Sequence, residues 1–197
     1  MKPVENKNTF YATSSTAWRN WLKKNHLRKE NIWLIIYKKE SGISSVYYPQ
    51  AVDEALCFGW IDSVPNKRDA NSYYLFFSKR KPQSYWSKVN KLKVAQLIKL
   101  DKMMPQGMKM VELAKQSGTW EALNKVDELV IPDEMANLFR KYKKAKINFD
   151  NFPPSTKRGI LQWIYNAKQD VTRLKRITET VALATQNIRA NQYQPKK

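Results

Sequence analysis

Long apolar runs are missing from this 197-residue sequence, and no stretch approaches the roughly 18 residues that a membrane-spanning helix needs. The N-terminus, MKPVENKNTFYATSS, lacks the apolar core of a signal peptide, so the expectation is a cytoplasmic protein. A single cysteine, Cys57, excludes an internal disulfide and a cysteine-built zinc cluster. Five glycines leave no room for collagen-like or glycine-linker composition. The GxGxxG, GxxxxGK(S/T), GxSxG and HExxH patterns are all missing, and with them the residues of the common nucleotide-binding, hydrolase and zinc-protease motifs. The reading therefore expects no cofactor and no metal. Acidic residues are the scarcest class relative to their counterpart: 17 Asp and Glu face 36 Lys and Arg, a net charge of +19.

What remains is enough for a folded chain. Hydrophobic residues make up 42% and aromatic ones 12%, so apolar burial can offset chain entropy and disorder is not expected. The positive charge is uneven. Residues 63–100 hold nine basic residues against one acidic, and residues 151–197 hold nine against two, whereas the other segments are nearly balanced. Such fields draw in anions, so the candidate partners are a small phosphorylated or carboxylated ligand, nucleic acid, or an anionic membrane surface. Oligomeric state is not fixed by these numbers.

Periodicity organises the chain. Ser14 or Ser15 predicts the start of a helix through Trp18, Trp21 and Leu22, ending near Asn25 and His26. The run IWLIIYK (32–38) predicts a strand buried on both faces, and Ile43 to Tyr48 a returning hairpin partner. Pro49 opens a helix that Gly59 ends, SVPNKRDANS reads as a loop, and Tyr73 to Ser78 as a strand. Helices are expected from Pro82 or Ser84 through Trp86 and Leu97, and from Pro105 to Gly118. Residues 119–150 read as a connector with a short helix after Pro132. A helical hairpin follows, its first helix capped by Ser155 and its second carrying Val171, Leu174, Ile177, Val181, Ala184 and Ile188. The fold class is α+β: a small, mainly antiparallel sheet with packed helices, followed by an all-helical C-terminal region. The expected divisions are 1–118, 119–150 and 151–197.

Two constellations are candidates for chemistry. In VDEALCFGWID, Glu54 and Asp62 flank the turn at Gly59 with Trp60 between them, and carboxylates near cations accept hydrogen bonds from a ligand's donors more readily than they act as acids. Downstream, a strand delivers Arg80 to its end shortly before a helix start with Ser84, Trp86, Ser87 and Asn90, an arrangement suited to phosphate or carboxylate. Lys168, Arg173, Lys175 and Arg176 predict a basic face on the last helices. No catalytic signature accompanies them, although Glu54 or Asp62 as acid or base is the form an enzyme would take.

Longer strings add a resemblance. YKKESG (37–42), EALCFGWIDS (54–63), FSKRKPQSYWSKVNK (77–91), GMKMVELAKQSGTW (107–120) and STKRGILQWIYNAKQDVTRLKRITETV (155–181) resemble the YdeI/OmpD-associated family, also called bacteriocin-protection proteins. The resemblance implies a role in stress or antimicrobial resistance without a defined reaction. By motif it marks Glu54, Gly59, Trp60, Asp62, Arg80, Ser84, Trp86, Ser87 and Asn90 as site residues. The leading expectation is a protein that binds a small, partly anionic ligand in a cleft. Nucleic-acid binding through the basic helices and the 79–93 run is the alternative.

Overall fold

The structure, a computed structural model, describes residues 8–192, and the chain divides into two compact units, 1–121 and 122–197. The first unit begins with strand β1 (Thr9–Tyr11), helix α1 (Ser15–Asn25) and strand β2 (Asn31–Tyr37). Ser14 caps α1, its Oγ accepting the Ala17 N–H at 3.1 Å. After a single 3-10 turn come helix α2 (Tyr48–Cys57), strand β3 (Trp60–Lys67) and strand β4 (Ser72–Lys79). Helices α3 (Lys88–Lys99) and α4 (Pro105–Gln116) complete the unit. The sheet order is β1-β2-β4-β3, with β1 parallel to β2 and the other two pairs antiparallel. The α+β expectation holds.

The sheet corrects three local expectations. First, β2 is not buried on both faces. Ile32, Leu34 and Ile36 point into the core with Leu75 and Phe77, where Phe77 meets Trp18 of α1 at 5.2 Å between ring centroids. Trp33, Ile35 and Tyr37 alternate onto the opposite, half-buried face, beside Phe76 and the more deeply buried Tyr74. Second, Ile43 to Tyr48 forms no returning strand, because β1 and β4 already occupy both sides of β2. That segment is tied instead by Val46 N–H to Ala12 O (3.0 Å) and by Tyr37 N–H to Ser45 Oγ (3.1 Å). Third, the polar run after Asp62 is no loop. β3 continues to Lys67 through a register shift between Asp62 and Pro65, and only residues 68–71 turn, with Asn71 N–H held by Asp69 Oδ1 at 2.8 Å.

Close approach fixes the helices. At Gly107 in α4, an added Cβ would lie 2.2 Å from the Cys57 carbonyl oxygen, so only glycine lets α4 rest on the end of α2. Met104 N–H donates to that same oxygen at 3.0 Å. The helix expected from Pro82 starts later, at Lys88, with Ser87 Oγ accepting Asn90 N–H at 3.3 Å. Pro82 to Trp86 precede it as an irregular segment, and Ser84 is therefore no helix cap.

The second unit is helical. The segment read as a connector holds α5 (Asn124–Asp127), α6 (Asp133–Lys141) and α7 (Lys143–Asn151), and α8 (Pro154–Tyr165) and α9 (Asp170–Thr185) follow. Charged residues on α6 and α7 mask apolar positions that are fully inside: Met135, Phe139, Ala145 and Phe149 pack with Ile160, Leu161, Ile164 and Ile177. Two end-of-helix expectations fail. Pro153 precedes α8 as its cap, placing Ser155 within the first turn, and α9 ends at Thr185, before Ile188. Val171 and Leu174 are 78% and 47% exposed, so the buried stripe of α9 starts at Ile177. Among the described residues no helix is long and apolar enough to cross a membrane.

Candidate functional site

Gly59 positions the site. Its φ of +73° turns α2 into β3, a conformation glycine adopts without strain, and its carbonyl accepts the Arg80 N–H at 2.9 Å. Arg80 thus leaves β4 directly beside the start of β3. Its side chain is only 6% exposed, and its guanidinium lies 3.7 Å from the Trp86 ring centroid. Nη2 donates to the Tyr85 carbonyl at 2.5 Å, but Nε and Nη1 are buried with no hydrogen-bond partner. A desolvated cation over an indole gains about 2 kcal/mol from the ring. Leaving buried donors unpaired costs about 1–3 kcal/mol, more when the group is charged. Burial pushes the Arg80 pKa down to about 10, with Asp62 acting weakly the other way. The group is still cationic at neutral pH.

Asp62 faces Tyr48, whose hydroxyl donates to Oδ2 at 2.9 Å. Burial, then the hydrogen bond to Asp62, pushes the Tyr48 hydroxyl up to about 12. On the other flank Trp86 meets Trp120 at 5.0 Å, and the ammonium groups of Lys91 and Lys115 lie 5.9 and 5.7 Å from the Trp120 centroid. Lys91 Nζ also donates to the Trp120 carbonyl at 3.1 Å. Cations therefore flank a pair of touching rings, Arg80 on Trp86 at one end and the two lysines on Trp120 at the other. An open hollow of about 390 Å³ lies on the segment between Arg80 and Trp86, lined by Lys81, Pro82, Gln83 and Ser84. The arrangement holds fixed positive charge with two buried, unpartnered guanidinium nitrogens, and the carboxylate of Asp62 already has a hydroxyl donor.

Of the residues marked in the sequence, Arg80 and Trp86 are in contact and Asp62 acts on Arg80 through its charge alone, with Ser84 on the hollow and Ser87 and Asn90 at the start of α3. Two residues serve elsewhere. Trp60 is 1% exposed, packs on Trp21 at 5.9 Å and donates through Nε1 to His26 O at 3.3 Å, which is a core role. Glu54 pairs with Arg19 at 2.6 Å, at a separate cavity of about 290 Å³ that also holds the Asp53–Lys93 pair at 2.5 Å. Beside it, burial pushes the Cys57 thiol up. Tyr48, Tyr85 and Trp120 were not marked beforehand. The sequence reads Tyr48 as the end of the returning strand, whereas Tyr85 and Trp120 stand within the strings that carry the family resemblance.

The C-terminal cations do not form one free face. Arg173 pairs with Glu134, and Arg176 covers the Trp163 ring at 5.0 Å and donates to the Trp163 carbonyl, whereas Lys168 and Lys175 stay exposed.

Comparison with known families divides the chain much as its structure does. No curated protein and no solved structure gives a significant match. Two family models do, one described as Domain of unknown function (DUF8412) over residues 10–110 and one described as Bacteriocin-protection, YdeI or OmpD-Associated over residues 128–187. The resemblance expected over most of the length is thus carried by the second unit, while Gly59, Asp62, Arg80 and Trp86 fall within the first match. The chain belongs to the family described as Domain of unknown function (DUF8412), whose model covers just over half of it, and joins to that domain a Bacteriocin-protection, YdeI or OmpD-Associated segment.

Proposed function

We propose that the first unit binds a small anionic ligand at Arg80, and that this binding serves the bacteriocin-protection role for which the family of residues 128–187 is named. One observation carries the reading: a guanidinium 94% buried with two nitrogens unpartnered. Buried charges are ordinarily paired, and a carboxylate or phosphate oxygen supplies both the charge and the acceptors that Nε and Nη1 lack. Asp62 does not fill that role, since it makes no hydrogen bond to Arg80 and accepts from Tyr48 instead.

Thermal unfolding of the full chain with a panel of phosphate and carboxylate compounds tests this, comparing wild type with Arg80→Met. At a hundredfold excess over Kd a ligand stabilises by about 2.7 kcal/mol, a rise of roughly 5–10 °C for a chain of this size. Arg80→Met removes the charge while keeping an extended apolar side chain. It is expected to leave unliganded stability within about 1 kcal/mol of wild type and to abolish the anion-induced rise. Equal stabilisation of both proteins by every active compound overturns the assignment.

A further inference from the structure

The sheet face opposite the core carries an aromatic layer that the Arg80 site does not use. Trp33 sits between Phe76 and Tyr74, with ring centroids at 4.8 and 6.2 Å, and Tyr37 meets Tyr11 edge-on at 5.2 Å. Trp33, Tyr37 and Phe76 are all half-buried, and they occupy the two central strands, β2 and β4, side by side. Cations gather at both ends of those strands. The register places Lys38, Lys39, Lys67 and Arg68 at the end where Tyr37 faces Ser72, and Arg28, Lys29 and Lys79 at the end where Asn31 faces Ser78. Some are engaged: Arg68 pairs with Asp69 at 3.2 Å and Lys79 with Glu30 at 2.6 Å. The Arg68 guanidinium also lies over the Tyr37 and Tyr74 rings at 5.8 and 6.0 Å, which continues the aromatic layer into the cationic rim.

We infer that this open sheet face binds single-stranded nucleic acid, with bases stacked on Trp33, Tyr37 and Phe76 and phosphates held by the cations at the strand ends. Rings displayed on a sheet stack bases of any sequence, and a cationic border supplies the backbone attraction, so the two features complement one ligand class together. Seven residues of β2 span roughly 23 Å, room for two or three stacked bases. In a duplex the base faces are already stacked on one another and are closed to these rings. The chain's net charge of +19 favours a polyanion over a neutral apolar partner. This inference stands on the sheet face and is independent of Arg80.

Fluorescence anisotropy of the full-length protein with a labelled oligo-dT and an oligo-U of about twelve nucleotides tests it, starting at about 50 mM salt. Binding is expected for both, weakening with salt at a log–log slope of about −0.7 per phosphate contacted. Trp33→Leu is expected to weaken binding roughly 5- to 150-fold, equivalent to about 1–3 kcal/mol per stacked base, whereas Trp33→Phe retains it. Arg68→Gln flattens the salt slope by about 0.7. Circular dichroism verifies that each variant is folded, and Tyr37→Leu and Phe76→Leu serve if Trp33→Leu is not. Four results overturn the inference: no binding at low salt, undiminished binding by the folded leucine variants, equally tight binding of a duplex of the same sequence, or capture by phosphatidylserine vesicles without oligonucleotide binding.

Discussion

Tyr48 and Arg80 flank Asp62, and burial shifts them in opposite directions, because it favours the neutral form of each. For Tyr48 the folded pKa, about 12, lies above the ordinary value of 10.0, so its stabilising contribution is complete below about pH 10 and is lost as pH rises through about 12. For Arg80 the folded pKa, about 10, lies below the ordinary arginine value, so the native state sheds that proton first and stability gains over the same alkaline range. Urea unfolding at about pH 9 and about pH 11 separates the two. Tyr48→Phe is expected to lose less stability between those values than wild type does, and Arg80→Met to lose more. The opposite ordering would mean that Tyr48 is not held by Asp62 as described. The raised Cys57 thiol gives a simpler outcome at this scale: the native protein should react with iodoacetamide far more slowly than the unfolded chain at the same pH.

Among the elements, the contact of α4 with the end of α2 leaves the least room. Gly107→Ala drives a methyl group against the Cys57 carbonyl, and neither backbone can yield without displacing a helix, so a loss of about 3 kcal/mol is expected in equilibrium unfolding. Gly118→Ala is strained for a different reason, its φ of +74°, with nothing within 4 Å of the added carbon, and should cost about 1 kcal/mol. The sequence marks Gly118 as a helix end but gives no sign of the contact at Gly107, since close approach is a tertiary property. The same distinction explains what the sequence disclosed. Local signals located α1, α2, β4 and α4, because Ser14, Pro49, the YYLFFS run and Pro105 each act on their own residues. β1 is three residues long and depends on β2 for its hydrogen bonds, so it left no pattern to read. In the site, Arg80 and Trp86 were legible as a cation and a ring near a helix start. Trp120 joins them from beyond α4, and Glu54 departs because Arg19, 35 residues earlier in the chain, draws it to another cavity.

At the scale of the whole chain, two cores share one polypeptide. Trp18, Leu34, Leu56 and Phe77 centre the first, and Met135, Phe149, Ile164 and Ile177 the second. Six of the seven tryptophans lie in the first unit and Trp163 alone in the second. Tryptophan fluorescence therefore follows mainly the first unit, while far-ultraviolet circular dichroism follows both. Truncating the fully buried Ile177 to Ala should cost about 2–5 kcal/mol, moving the dichroism transition to lower denaturant while most of the fluorescence change stays in place. Coincident movement of both signals would show the two cores melting as one. The order of the sheet has a further consequence for assembly. One border strand, β1, is three residues long, and the other, β3, carries Pro65, which has no N–H to offer, beside an interruption in its pairing. Neither border is a good template for a neighbouring chain's strand, so a protein that keeps aromatic rings at its surface is guarded against growing into fibrils by edge-to-edge addition.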